Sequence, residues 1–424
     1  MDNNNQLIKE RKPHCEKLSE NYTNLLILNR DCWLLVCDLL SCQDILNMSK
    51  VSQSIRNLMQ YIVLPSKFKK WEISFSRDTI SLDDFNFLLS SIYTTVQALR
   101  ILFLPDRHFE LLKSYRFPNV TEFRITLSRP MVETDISNLS NVFPNLRCFS
   151  PHGICSKALE LFTNLENLTL TGCRNLSKND FGRILLALNL KSLTLDVFKK
   201  VTPLCREELL KFCKIEVLTL NRIELGWITL YDEHNAVTFD NLKVLIITGG
   251  LNETTEVDKL FENIHSIVPR AISSIEIANV SADFLYTYLN PRKYYFLNLV
   301  KVLKFINIAI LDDVFGAPSK YKGLRQLYFF YCHTAMNLDV LSIISNSQEL
   351  DVISFEQCDM SHIVISKAYI NQCLCTRKKP IILNWYSSEK TPDVHCCNKY
   401  EHLIKLTNKS HLSSNYDSMT IIFK

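Results

Sequence analysis

The apolar positions of this chain recur at a spacing that is neither helical nor strictly alternating. The stretch LENLTLTGCRNLS (165–177) places Leu165, Leu168 and Leu170 at intervals of three and two residues. The same spacing recurs along the chain. The middle residues of its copies are Leu99, Phe123, Leu168, Leu193, Leu218, Leu245, Ile275, Leu303, Leu327 and Ile353, with a degenerate copy at Phe149. Neighbouring copies lie 19 to 30 residues apart, which indicates an internal repeat of about 25 residues.

Between the copies lie segments whose apolar residues have helical spacing. These segments are 181–190, 205–214, 257–268 and 338–347. A strand and a helix in every unit of about 25 residues are typical of leucine-rich repeats. We therefore predict an α/β leucine-rich-repeat solenoid with about eleven copies over 67–360, curved, with a parallel sheet on its concave face and helices outside. Trp71, Ile73 and Phe75 alternate and are expected to form the first strand.

The residues between the buried positions of each strand are predicted to face the concave side. Successive strand residues point to opposite faces, so the sequence identifies this set. Most of its members in the first half of the chain are small and polar, whereas Ile306, Tyr328 and Phe330 are apolar. We predict a substrate-binding patch formed by Lys304, Ile306, Tyr328, Phe330 and Glu356. A C-terminal segment folded over the same residues is the alternative, because the ends of a solenoid need a cover.

The segment 28–58 differs from the repeats. Its apolar residues fit three very short helices, and Asp44 is predicted to be the N-cap of the second of them. Helices this short bury little surface by themselves, which suggests that a partner completes their core.

This segment resembles an F-box. The residues that match the family pattern are Leu28, Asp31, Trp33, Leu34, Val36, Leu40, Asp44, Ile45, Leu46, Val51 and Arg56. The chain departs from the pattern at Asn29, Ser52 and Ile55, where proline, cysteine and tryptophan are usual. An F-box followed by leucine-rich repeats is the domain order of a large family, and the resemblance covers most of the chain. It gives a division into 1–22 (flexible), 23–66 (F-box), 67–360 (repeats) and 361–424 (a degenerate repeat and C-terminal cap).

The resemblance implies a substrate-recognition subunit of an SCF-type cullin–RING E3 ubiquitin ligase. The F-box would bind a Skp-type adaptor, and the repeats would bind a protein substrate. The predicted adaptor-binding residues are Leu28, Trp33, Leu34, Val36, Leu40, Ile45, Leu46, Met48, Val51 and Ile55. Such a subunit is not an enzyme and needs no cofactor. A leucine-rich-repeat scaffold without ligase association is the alternative, favoured by Asn29 and Ile55.

Composition narrows the class of partner. The chain has 424 residues, of which 47% are hydrophobic and 22% charged, and a net charge of +4. A charge so close to balance gives no reason to expect nucleic acid or an anionic membrane as a partner. Fifteen scattered cysteines and a polar first segment predict free thiols in a reducing compartment, in the cytoplasm, the nucleus or both.

The C-terminal region contains the atoms of a metal site. These residues are Cys373, Cys375, His395, Cys396, Cys397 and His402. Their spacing does not match the pairs that tetrahedral zinc sites use, so ordinary thiols in a terminal cap are the preferred interpretation and no metal is predicted. The basic run 377–379 is interpreted as a solvated loop. Short strands are predicted at 381–383 and 421–423.

Overall fold

The computed structural model describes residues 28–153, 156–173, 177–196, 204–221, 231–232, 235–236, 241–249, 272–280, 295–311, 321, 323–335, 349–358, 379, 381–386 and 404–407. The chain forms two compact units. The N-terminal unit contains the described residues of 28–129 and 138–146, and the C-terminal unit contains those of 130–137 and from 147 onward.

The N-terminal unit begins with short helices. They are α1 (Arg30–Asp38), α2 (Cys42–Ser49), α3 (Gln53–Leu58), a π-helical turn (Met59–Val63) and α4 (Leu64–Lys67). Polar side chains start each of the first three. Asn29 accepts a hydrogen bond from the Cys32 backbone, and Ser52 accepts one from the Ile55 backbone. At the second helix the N-cap is Ser41 and not the predicted Asp44, which lies at the third helical position and completes a reciprocal capping box. Asn29 and Ser52, two of the departures from the F-box pattern, therefore have local structural roles.

The same unit continues with three parallel strands and intervening helices. They are β1 (Lys70–Ser74), α5 (Leu82–Ile92), β2 (Ala98–Leu104), α6 (Asp106–Leu112) and β3 (Glu122–Leu127). Helix α7 (Glu133–Val142) follows, and the division assigns its residues up to 137 to the C-terminal unit and the rest to the N-terminal unit. In the register of β1, β2 and β3, Trp71 lies opposite Leu99, and Leu99 lies opposite Phe123. A shift between Ile101 and Leu104 places Phe103 in a left-handed conformation, with φ of 57°. The first predicted strand is therefore present around Trp71 and Ile73.

The C-terminal unit consists of parallel strands paired in chain order. They are β4 (Cys148–Pro151), β5 (Asn167–Thr171), β6 (Ser192–Asp196), β7 (Val217–Asn221), β10 (Val244–Thr248), β11 (Ser274–Ala278), β12 (Val302–Ile306), β14 (Gln326–Phe330), β16 (Val352–Glu356), β17 (Ile381–Tyr386) and β18 (Ile404–Thr407). Short strands β8 (Tyr231–Asp232) and β9 (Asn235–Ala236) pair antiparallel, and β13 (Ala309–Leu311) pairs with β15 (His333–Ala335) in parallel. Two α-helices and two 3₁₀-helices of this unit are described. They are Lys157–Leu161 (3₁₀), α8 (Lys178–Ala187), α9 (Arg206–Phe212) and Tyr295–Leu299 (3₁₀).

The predicted repeat register is confirmed. From β5 to β16 each strand pairs with the next without a shift, so that Leu168, Leu193 and Leu218 lie opposite one another. The predicted apolar residues of every repeat from Val96 to Phe355 are buried. Parallel strands in unbroken order, with a buried side chain at each predicted position, define a leucine-rich-repeat fold.

The turns after six of the described strands share one conformation. The residue that follows β5, β10, β11, β12, β14 and β16 has a positive φ in every case. These residues are Gly172, Gly249, Asn279, Asn307, Tyr331 and Gln357. The backbone N–H groups of the first five donate to the next strand, as where Asn307 donates to the Phe330 carbonyl at 2.8 Å. Glycine and asparagine tolerate this left-handed region best, whereas Tyr331 is a bulky residue in it.

The cysteines predicted to be structural lie one residue beyond these turns. Cys332 and Cys358 are buried, and each thiol donates to a carbonyl of its own strand and to one of the preceding strand. Cys173 differs from the prediction of free thiols, because it is disulfide-bonded. The other cysteines of the described part with an assigned state are free.

Some features were not predicted from the sequence. The β13–β15 ladder and β18 are new, and α4 and the π-helical turn extend the N-terminal helices as far as Lys67. The predicted helices at 181–190 and 205–214 correspond to α8 and α9. The predicted helices 257–268 and 338–347, the flexible segment 1–22 and the strand at 421–423 lie outside the described residues. The four-part division of the chain stays a prediction.

We predict that Phe329 contributes strongly to stability. Its ring stacks between Phe305, at 5.5 Å, and Phe355, at 4.9 Å between ring centroids. Phe329→Ala should lower the free energy of unfolding by about 3–5 kcal/mol, since it opens a cavity between three repeats. Chemical denaturation measures this value. Phe103→Ala, at a half-exposed ring, is the control and should change it by less than about 0.5 kcal/mol. A Phe329→Ala effect no larger than the control would contradict this role.

Candidate protein-interaction surfaces

The predicted adaptor-binding residues fall into three groups by exposure. Trp33, Ile45 and Leu46 are buried within the N-terminal unit. Leu34, Leu40, Met48 and Ile55 are half-buried, and Leu28, Val36 and Val51 are exposed. The expectation that a partner must complete the helical core is therefore not met for the first group. The reason is that α4 and the π-helical turn, which the sequence pattern did not reveal, add buried apolar side chains such as Met59, Val63 and Leu64.

The first helix exposes an apolar stripe that sequence reasoning missed in part. Leu35 is 69% exposed and Leu39 is 89% exposed. Residues four apart lie on one helix face, and Val36, itself exposed, lies beside them. We call Leu35, Val36 and Leu39 the α1 stripe. Leu35 and Leu39 were overlooked because the F-box pattern emphasises other positions, although their spacing in LLVCDLL was a visible signal.

Polar contacts fix the helices that carry this stripe. The Lys67 ammonium donates to the carbonyls of Cys37, at 2.5 Å, and Leu40, at 2.8 Å, and so caps the end of α1. Lys50, at the end of α2, pairs with Asp84 of α5 at 2.8 Å. Arg56 stacks over the Phe87 ring at 4.3 Å. The exposed leucines are therefore held on a rigid support.

The inner face of the C-terminal unit is built from strand register. The residues between the buried positions form two rows across neighbouring strands. The middle row is Thr169, Thr194, Thr219, Ile246, Glu276, Lys304, Tyr328, Ser354 and Asn384. The end row contains Thr171, Asp196, Asn221, Thr248, Ala278, Ile306, Phe330 and Glu356. All five predicted substrate-binding residues lie in these rows, on the adjacent strands β12, β14 and β16.

This inner face is less open than the sequence suggested. Phe330 and Glu356 are buried, whereas Lys304, Ile306 and Tyr328 are half-buried. Adjacent strands lie about 4.8 Å apart, so each side chain of a row shields its neighbours. The Tyr328 and Phe330 rings are nearly parallel, at 5° and 6.0 Å between centroids. The predicted aromatic patch therefore exists, but only part of it reaches the surface.

Charge is concentrated at one point of the middle row. Glu276 is 2% exposed, and its Oε2 lies 3.8 Å from the Lys304 ammonium. Burial raises the pKa of the Glu276 carboxyl above its usual range, and the Lys304 charge opposes this shift. Burial also raises the pKa of the Tyr328 hydroxyl, with a smaller contribution from the Glu356 charge. The inner face thus places the Glu276 carboxyl and the Tyr328 ring on the two sides of Lys304.

The N-terminal unit has its own charged row. Glu72, Arg100 and Arg124 are paired across β1, β2 and β3, and Arg100 Nη1 lies 3.2 Å from Glu72 Oε2. Burial lowers the pKa of Arg124, and the Arg100 charge adds to this effect. This row therefore carries one carboxylate and two guanidinium groups.

Other kinds of site receive no support in the described part of the chain. No group of three metal-ligating side chains occurs among these residues. No helix in the same part is long and apolar enough to cross a membrane. The Cys and His residues from Cys373 to His402 lie outside the described residues, so the preference for ordinary thiols there stays a prediction.

Comparisons with known proteins give only distant likenesses. No family model matches the chain, and no curated protein matches it. The chain is similar to a chain in the crystal structure of the Rad7 and Elc1 complex in yeast, with 12% sequence identity and a TM-score of 0.38. The match covers 95% of this chain and 98% of that one. A chain of the TLR13–ssRNA13 complex has 13% sequence identity and a TM-score of 0.40, and the match covers 82% of this chain and 48% of that one. An internalin from Listeria monocytogenes has 12% sequence identity and a TM-score of 0.35, and the match covers 82% of this chain and 94% of that one. At such TM-scores the likenesses carry no argument about partners.

We predict that neutralising Glu276 stabilises the protein above acid pH. The raised pKa means that the folded protein holds this proton at pH values where the unfolded chain has lost it. The contribution of Glu276 to stability therefore falls as the pH rises above its ordinary value of 4.5. Glu276→Gln should raise the melting temperature at neutral pH, and the gain should shrink as the pH falls towards 4.5.

Thermal unfolding of both proteins across this pH range measures the effect. Glu207→Gln is the matched control, because Glu207 is an exposed carboxylate of α9. The control should follow the wild type at each pH. A lower melting temperature for Glu276→Gln at neutral pH would show that the ion pair with Lys304 outweighs the burial of the charge.

Proposed function

We propose that this protein is the substrate-recognition subunit of an SCF-type ubiquitin ligase. The N-terminal helices bind a Skp-type adaptor, which links the chain to a cullin, and the inner face of the repeats binds a protein substrate. The ubiquitin-transfer chemistry belongs to other subunits, so the chain acts as a receptor rather than as an enzyme. In this proposal the protein is localised in the cytoplasm, the nucleus or both.

The observation that carries the proposal is the α1 stripe. Large apolar side chains exposed together on a rigid helix are costly in water and are typical of a surface that a partner covers. The stripe lies within the segment that resembles an F-box, and the exposed Leu28 and Val51 belong to the same segment. The segment is followed by leucine-rich repeats, the domain order of F-box receptors.

A scaffold without ligase association is the second candidate. It is favoured by the burial of Trp33, Ile45 and Leu46 inside the N-terminal unit, since the helices have a core of their own. In this case the α1 stripe would bind a different protein. Capture of the adaptor separates the two candidates.

We predict that Leu35→Asp together with Leu39→Asp weakens adaptor binding. Two carboxylates in place of exposed leucines should weaken a hydrophobic interface by about tenfold or more, while the fold is kept because neither side chain is buried. The chain is co-expressed with a Skp-type adaptor and cullin, and the captured adaptor is measured after pull-down. Ile45→Asp would be a poor choice, because a charge at that buried position would unfold the helices.

The matched control is Leu161→Asp together with Leu210→Asp. These leucines are also exposed and lie in the C-terminal unit. The control should capture as much adaptor and cullin as the wild type. If the folded wild type captures no adaptor, the ligase proposal fails and the scaffold remains. Equal loss in both double variants would also count against a specific role for the α1 stripe.

A further inference from the structure

The inner face of the C-terminal unit contains buried hydrogen-bond acceptors without partners. In the described part of the chain, Glu276 Oε1, Thr219 Oγ1 and Thr248 Oγ1 are buried and have no hydrogen-bond partner. They lie on the neighbouring strands β7, β10 and β11, and Thr219 and Glu276 flank Ile246 in the middle row. An unpaired buried polar atom is unfavourable. A group with several N–H donors can supply such acceptors with hydrogen bonds, and guanidinium and ammonium groups are such donors.

The charged residues of the inner face are mostly acidic, which favours a cationic ligand. From β5 to β17 the charged residues of the middle and end rows, among the described side chains, are Asp196, Glu276 and Glu356 against Lys304. Lys301 and Arg325 lie directly before the N-terminal ends of β12 and β14. A cation is therefore attracted by the local negative charge around Glu276 and Glu356, and not by a net charge of the whole C-terminal unit.

The edge of the same face holds an aromatic residue that local structure does not favour. Tyr331 follows directly after Phe330, has a φ of 54° and is 45% exposed. At the corresponding turns the chain uses Gly249, Asn279 and Asn307, which suit this conformation better. Strain of this kind without a compensating gain in burial points to a role in binding.

We propose that this face, from β7 to β16, binds a segment of a protein partner that presents arginine or lysine side chains. The cationic group is placed against Glu276, and the more exposed rings of Tyr328 and Tyr331 contact the planar or aliphatic parts of the same segment. The glutamate side chain has rotatable bonds that allow its carboxylate to swing towards the surface. The inference rests on the proposed substrate-binding role of the repeats, and it specifies the chemistry of that substrate.

The test uses a random peptide library rather than a presumed substrate. A 12-residue phage-displayed library is selected on the full chain, with counter-selection on the Glu276→Gln, Glu356→Gln double variant. We expect the selected peptides to be enriched in arginine or lysine by threefold or more over the input. Synthetic versions should bind the double variant at least tenfold more weakly, and replacing their arginines by uncharged citrulline should cause a similar loss.

The matched control neutralises two exposed carboxylates elsewhere, Glu110→Gln and Glu207→Gln. It changes the net charge equally and should bind the peptides within twofold of the wild type. Selected peptides without basic enrichment, or equal binding to both double variants, would overturn the proposal. Binding that persists with citrulline would indicate an apolar segment instead. A face occupied by the C-terminal segment of this chain would yield no selected peptides, which also overturns it.

Tyr331→Asn provides a second variant that separates binding from folding. Asparagine suits the left-handed turn, so the melting temperature should rise, while peptide affinity should fall by threefold or more. Unchanged affinity would remove Tyr331 from the site. The peptide assay does not involve the adaptor, so failure here leaves the adaptor result intact, and failure of adaptor capture leaves the peptide result intact.

Discussion

The C-terminal unit depends on the stacking of parallel strands in register. The inward residues of one repeat, such as Leu193 and Leu195, are covered mainly by the same positions of the repeats before and after it. No repeat has a core of its own, so every strand requires its neighbours. The stacked rings of Phe305, Phe329 and Phe355 are the clearest example, because three consecutive repeats each contribute one ring to one column.

The same register determines the chemistry of the opposite face. Residues that alternate with the core positions are aligned with their equivalents on both neighbouring strands. Alignment shields them, which explains why Glu276 and Ser354 are buried although they face away from the apolar core. It also brings Glu276 beside Lys304, and Lys304 beside Tyr328, so that a carboxylate, an ammonium group and aromatic rings occupy one short stretch of the face. The mixed chemistry of the inner face and the structural repeat are thus produced by one geometric rule.

The N-terminal unit follows a different logic. Its short helices are stabilised by caps and by contacts between residues that are distant in the sequence. Among these contacts are the Lys50–Asp84 ion pair and the hydrogen bond from the Lys67 ammonium to the Cys37 carbonyl at the end of α1. These contacts leave Leu35 and Leu39 exposed on a fixed support. The consequence is that apolar residues of similar type have different roles. Trp33 and Ile45 hold the helices together, while the α1 stripe is available to another molecule.

The sequence by itself determined the repeat, its period and its register, because burial between stacked repeats leaves an apolar residue at each inward position. It also located the three N-terminal helices and the inner-face set that includes Tyr328 and Phe330. Only the tertiary structure decided which N-terminal apolar residues are exposed, because α4 and the π-helical turn cover one side of the helices and the sequence pattern did not reveal them. The burial of Glu276 and the strain at Tyr331 likewise depend on neighbouring strands and on backbone conformation. A pattern of apolar spacing records which residues face inward, but it does not record how much of the other face its neighbours cover.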